Sequence, residues 1–131
     1  RLGFEDRIKQ PLDVQTSLPA VGQGALGIEN RKGDETVREL IKPLIDSKTM
    51  TEVLAERAMN ATLEGSCSVA IAAYATTMGE ELLLKGLVGD VESGSILRAE
   101  STGSISQPKA LGELVANQLL DIGAGKLLEG G

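Results

Sequence analysis

Apolar positions recur at helical spacing in several stretches of the chain and as short near-continuous runs in others. Residues 1–10 read as the end of a helix or a helical turn, with Leu2, Phe4 and Ile8 apolar and Glu5, Asp6, Arg7 and Lys9 between them. Pro11 stops it, because proline disfavours helix at the residue before it. Residues 11–18 read as a loop. Residues 20–21 and 25–28 read as pieces of strand, with Gly22 and Gly24 between them. Residues 34–45 predict a helix with the stripe Val37, Leu40, Ile41 and Leu44. Asp34 is its N-cap candidate, and Pro43 ends or kinks it. The polar joint Asp46-Ser47-Lys48 precedes the strongest helix, residues 49–63, capped by Ser47 or Thr49. Met50, Val53, Leu54, Ala58 and Ala61 lie near one face, while Glu52 and Glu56 share the other. Gly65 suits a left-handed C-terminal cap.

The periodicity then changes. Residues 69–75, 82–88 and 95–101 predict strands, separated by a turn at 76–81 containing Gly79 and a hairpin link at 89–94. Pro108 opens a last helix with the stripe Leu111, Leu114, Val115, Leu119 and Leu120. Gly123-Ala124-Gly125 ends it, and 126–131 read as a frayed tail. From residue 47 the order is α-β-β-β-α. An α+β domain satisfies it: an antiparallel three-stranded sheet with its helices on one face. Residues 1–46 make no domain alone and look like segments belonging to upstream α/β elements.

Composition narrows the function classes. The chain has 131 residues, 41% hydrophobic and 24% charged, with a net charge of -6. That length and balance predict one ordinary folded domain with a core, or one small domain plus a tail, and the acidity disfavours nucleic acid and anionic lipid. No apolar run approaches the length of a membrane span, and the opening Arg1-Leu2-Gly3-Phe4-Glu5-Asp6 has no apolar signal region. The start at Arg1, without Met, suggests a fragment or a processed piece. There is one cysteine and no histidine. An intrachain disulfide is excluded, a reducing compartment fits, and Cys-His, Ser-His-Asp and the usual zinc chemistries fall away. Only Phe4 and Tyr74 are aromatic, too few for a base-stacking platform.

Candidate chemistry centres on Cys67. It follows Gly65-Ser66 where a helix pattern ends and a strand pattern begins, flanked by small polar Ser66 and Ser68. One reading is a small packing residue. The other is an accessible thiol on a corner held by two rigid elements, although neither a helix N-terminus nor nearby cations favour the thiolate there. Local pattern leaves the two open. Glu56-Arg57 reads as a solvated helix face, or as an arginine fork for a carboxylate. Gly22-x-Gly24-x-x-Gly27 has dinucleotide-fingerprint spacing, but no helix opens within the glycines. Gly123-Ala124-Gly125-Lys126 lacks the rest of a phosphate loop. Arg1, Arg7, Lys9, Arg31, Lys32 and Arg38 serve solubility or part of an anion site.

Two long segments resemble the C-terminal signatures of the hydroxymethylbilane synthases, also called porphobilinogen deaminases. They are Leu18-Pro19-Ala20-Val21-Gly22-Gln23-Gly24-Ala25-Leu26-Gly27-Ile28-Glu29 and Glu56-Arg57-x-Met59-x-x-x-Leu63-Glu64-Gly65-Ser66-Cys67. Arg1-Leu2-Gly3 resembles the family's segment just upstream. The resemblance implies a transferase of tetrapyrrole and heme biosynthesis, joining four porphobilinogen molecules into a linear tetrapyrrole with release of ammonia. It implies a dipyrromethane cofactor held on Cys67 by a thioether, a use suited to a soft sulfur nucleophile. It also implies that Arg1 binds substrate carboxylates, with the catalytic aspartate and the other substrate arginines outside this chain. Residues 1–18 would close a second domain, 19–46 would return to complete the first, and 47–131 would form the cofactor-anchoring domain. The enzyme would be a cytoplasmic monomer, and this piece inactive alone. Ala70 stands where the family usually has proline. The other class of function is a small non-catalytic α+β binding module in which Cys67 only packs.

Overall fold

In the computed structural model the described residues are 3–63, 70–90 and 92–129. The helices are α1 (Glu35–Ile41), α2 (Ser47–Leu63), α3 (Pro108–Asp121) and α4 (Ala124–Glu129). The strands are β1 (Ala70–Met78), β2 (Glu81–Gly89) and β3 (Ile96–Ser104), in the sheet order β1-β2-β3, antiparallel throughout. The α-β-β-β-α expectation holds, with both long helices on one face of the sheet.

Alternation along the strands decides that face. Ala73 and Ala75 of β1 and Leu82, Leu84 and Val88 of β2 point into the core, joined by Leu97 and Ala99 of β3 at its margin. Their partners are Ala55, Met59 and Leu63 of α2 and Leu111, Val115, Ala116 and Leu119 of α3. A one-residue slip would turn each strand's apolar set to the other side, so the core itself fixes the register. Small residues let the layers approach. A methyl group on Gly112 of α3 would collide with the backbone of Ala55 and Met59 in α2. A methyl on Gly86 of β2 would meet the Met59 sulfur at 2.5 Å.

Several expectations shift. The stripe of α2 runs through Ala55, Met59 and Leu63, while Met50 is exposed. In α3 it runs through Leu111, Val115 and Leu119 with Gly112 and Ala116, while Leu114 is exposed. Small residues mark the helix–helix contact there, so counting large apolar residues misplaces the face. The first hairpin turns later than expected, at Gly79-Glu80, because Thr76, Thr77 and Met78 pair with Leu83, Leu82 and Glu81. Residues 126–129 of the expected frayed tail belong to helix α4. Ala124 is buried and Leu127 and Leu128 pack on the core, which holds a helix too short to stand alone. The N-cap of α2 is Asp46, whose carboxylate accepts from the Thr49 N–H at 2.7 Å, rather than Ser47 or Thr49. Asp34 does cap α1, accepting from the Val37 N–H at 3.1 Å.

The first 46 residues contain no strand among those described. The expected strand pieces at 20–21 and 25–28 find no pairing partner, and an extended segment without a ladder does not become a strand. Residues 1–10 contribute one 3-10 turn, Glu5–Arg7, with the Arg7 guanidinium 4.7 Å from the centre of the Phe4 ring. α1 runs into a second 3-10 turn containing Pro43, as the proline predicts. It buries nothing: Leu40 is 73% and Leu44 68% exposed.

Candidate functional site

An antiparallel sheet of three strands has two edges, and the β1 edge lies beside α2. Along it the N–H groups of Ala73, Ala75 and Thr77 point away from β2. Each has a partner that is not a strand. Ala73 donates to the Pro19 carbonyl at 3.1 Å. Ala75 donates to Oε1 of Glu56 at 2.9 Å, and Thr77 to Oε1 of Glu52 at 2.8 Å. The Thr77 hydroxyl donates to the same Glu52 oxygen at 2.8 Å. Two glutamates one helical turn apart therefore match two strand positions two residues apart. The rise of 6 Å over four helical residues is close to that over two strand residues, so the spacing is geometric.

Glu56 also holds a third segment. Its Oε2 accepts from the Gly22 N–H at 2.7 Å. Residues 19–24 form a strap against the β1 edge, turned by bonds from Gln23 N–H to Ala20 carbonyl and from Ala25 N–H to Gly22 carbonyl. Gly22 has φ +68, a left-handed conformation that an L side chain resists, which explains glycine at this place. Val21 reaches the margin of the core. Strap, α2 and β1 enclose a cleft of 280 Å³ lined by Gly22, Gln23, Thr49, Glu52, Glu56 and Tyr74. The glycines with dinucleotide-like spacing are thus used for turns, and no helix opens among them.

Glu56 is 6% exposed. Burial pushes its carboxyl above the ordinary glutamate range. The bonds from Ala75 and Gly22 pull it back, and the nearby Glu52 charge raises it further. The reading of Glu56 as part of a solvated helix face is overturned. Edge N–H groups that the sheet leaves without a strand partner draw both carboxylates inward. Arg57 is exposed, so the Glu56-Arg57 pair is split between inside and outside.

These bonds tie together the two stems of the corner that contains Cys67. α2 ends at the buried Leu63, and β1 begins at the exposed Ala70, which pairs with Gly89. Cys67 itself, and the Gly65 cap with it, fall outside the described residues, as does Arg1. Glu52, Glu56 and Gly22 are the site residues that sequence reasoning missed. A pair of glutamates at i, i+4 flanking an apolar stripe, the second of them two turns before the end of a helix that leads to a strand, is the signal that points to them.

A second cleft, of 300 Å³, lies on the other face of the sheet, between Val14, Gln15 and Leu18 and the side chains of Lys85, Arg98 and Glu100. Lys85 stands 3.9 Å from Glu100. Arg38 pairs with Glu35 at 3.1 Å on the surface of α1. No helix among the described residues is long and apolar enough to cross a membrane.

Comparison with known proteins adds the following. Residues 50–121 match the family described as porphobilinogen deaminase, C-terminal domain. Residues 1–39 match the family described as porphobilinogen deaminase, dipyromethane cofactor binding domain. The chain is 54% identical over 129 residues to a porphobilinogen deaminase of Ruthia magnifica subsp. Calyptogena magnifica. It is 49% identical over 129 residues to that of Vesicomyosocius okutanii subsp. Calyptogena okutanii (strain HA). In both cases 98% of this chain is covered, and the chain spans 42% of the relative's length.

Proposed function

Since the chain belongs to the porphobilinogen deaminase family, a transferase family of tetrapyrrole biosynthesis, we propose that it works as the C-terminal portion of a longer enzyme. That enzyme condenses four porphobilinogen molecules into hydroxymethylbilane with release of ammonia. Its role for this chain is to tether a dipyrromethane primer through a thioether on Cys67.

The observation that carries this reading is the agreement of family and corner. The segment matching the C-terminal domain contains the chain's only thiol, between two stems bound to each other through Glu52 and Glu56. The donor set fits the group. With no histidine and one cysteine, sulfur is the chain's one soft nucleophile, and a thioether to it is stable to repeated turnover. When bound, the primer supplies the pyrrole terminus from which a chain is extended. This chain's residues hold the corner; Arg1 contributes a bidentate contact to substrate carboxylates. Residues 1–18 and 19–46 complete domains whose remainder lies elsewhere in the longer protein. The exposed Leu26, Ile28, Leu40 and Leu44 support this, since each presents an apolar side chain with no core beneath it.

Intact-mass measurement tests the tether. The longer enzyme, purified active, is expected to carry a dipyrromethane increment on the peptide containing Cys67, and Cys67→Ser to lack it. Active enzyme with a bare Cys67 thiol would overturn the reading. The packing-module alternative requires Cys67→Ser to be neutral for cofactor loading.

A further inference from the structure

Glu56 is a buried carboxylate with a separate oxygen committed to each of two distant backbone segments. We propose that Glu56 is a positioning residue that couples the 19–24 strap to α2 and β1, so that the strap and the two elements on either side of Cys67 in the sequence move as one unit. The inference rests on the tether reading for its functional consequence, and on geometry alone for the coupling.

The stereochemistry is specific. A carboxylate offers an acceptor on each oxygen, which is what two N–H groups approaching from different segments require. One oxygen meets Gly22 at 2.7 Å and the other Ala75 at 2.9 Å. A glutamine has one acceptor oxygen, and its NH2 group would face the other N–H. The strap has a second attachment two residues along the same edge, from Ala73 to the Pro19 carbonyl. Displacing the strap therefore frees the Ala73 N–H and leaves Glu56 bonded to Ala75 alone, next to the stem that begins at Ala70. Because residues 64–69 join Leu63 to Ala70, the separation of those stems sets where a tethered group is presented, and a misplacement of about 1 Å lowers turnover steeply.

The test uses Glu56→Gln in the longer enzyme. Amide exchange at Gly22 and at Ala75 is read by mass spectrometry, and turnover is measured per adduct-bearing molecule. Coupling predicts that exchange at both amides rises together, by roughly tenfold or more. It predicts that kcat falls by about tenfold with KM unchanged, because the bound substrate is held elsewhere. Faster exchange at Gly22 alone, or unchanged kcat per adduct-bearing molecule, overturns the proposal. If wild-type enzyme carries no adduct, the tether reading fails and the two amides alone decide the coupling. Should the glutamine variant fail to fold, Glu56→Asp, one methylene shorter, is held to the same criteria.

Discussion

Glu56 and Ala75, nineteen residues apart in sequence, are joined by a hydrogen bond of 2.9 Å from the Ala75 N–H to the Glu56 carboxylate. A helix side chain thereby takes the place that a fourth strand would occupy. Glu52 and Thr77 repeat the relationship one helical turn away. Open edges invite pairing with other chains, and proteins cover them with side chains or loops. Here the cover consists of two carboxylates and one backbone carbonyl.

Removing the outer of the two carboxylates gives the first prediction. Glu52→Ala leaves the Thr77 N–H and hydroxyl without their shared acceptor at a half-buried position. Hydrogen bonds to a charged group contribute about 1.5–3 kcal/mol, less where water replaces the acceptor. The expected loss is about 1–2 kcal/mol, read by urea unfolding, with faster exchange at the Thr77 amide. An unchanged midpoint would show that water serves Thr77 equally well.

Glycine packing gives the second. Alanine at Gly112 places a methyl 2.7 Å from the Ala58 Cβ and 2.8 Å from the Met59 nitrogen, so α2 and α3 must separate. Alanine at Gly86 meets the Met59 sulfur, part of a side chain with three rotatable bonds that can move aside. Both overpack the core, at a cost typically of about 1–3 kcal/mol. Gly112→Ala is expected at or above the top of that range and Gly86→Ala below it. Thermal unfolding of the two variants side by side checks the order, and the reverse order would contradict the packing described.

How far these features could be read in the sequence depends on what each one answers to. Sheet order, strand number and the two-layer arrangement follow from alternation in 69–101 and from two apolar helices, which are local patterns. The phase of α2 and α3 was not legible. It is set by Gly112 meeting Ala55 and Ala58, and small residues leave a weak apolar signal. The inward turn of Glu52 and Glu56 was hidden for a related reason: the donors that attract them belong to a strand and a strap far off in sequence. For residues 20–21 and 25–28 the pattern suggests strand, but a strand depends on a neighbour as well as on its own residues. The role proposed for the cysteine rests on the matched motifs around it, since its local pattern allows packing and chemistry alike.

A third prediction concerns the chain by itself. The proposed role assigns the catalytic aspartate and most substrate arginines to the rest of the longer enzyme. The purified 131-residue chain is therefore expected to release no ammonia from porphobilinogen. A colorimetric ammonia assay over a long incubation checks this, and turnover by the isolated chain would place bond-making groups within it.

The last prediction is a pH profile in which two carboxylates act with opposite sign. The Asp46 carboxyl lies below its ordinary value, chiefly because the Thr49 backbone and side chain donate to it, with Lys48 adding a favourable charge. Its folded form binds protons less readily than the unfolded chain, so its contribution is present above the unfolded value and is lost as pH falls through the folded one. Glu56 is raised by burial, so its folded form binds a proton more readily than the unfolded chain does. Its contribution is full below the unfolded value and declines as pH rises through the folded one. Urea unfolding of wild type, Asp46→Asn and Glu56→Gln between about pH 3 and 8 separates the two. The gap between wild type and Asp46→Asn is expected to close toward acid, below the ordinary aspartate value. The gap between wild type and Glu56→Gln is expected to narrow toward neutral pH, above the ordinary glutamate value. Parallel curves for Glu56→Gln would mean that the two backbone N–H groups offset its burial in full. The carboxylate would then be as easily ionised in the folded chain as in the unfolded one.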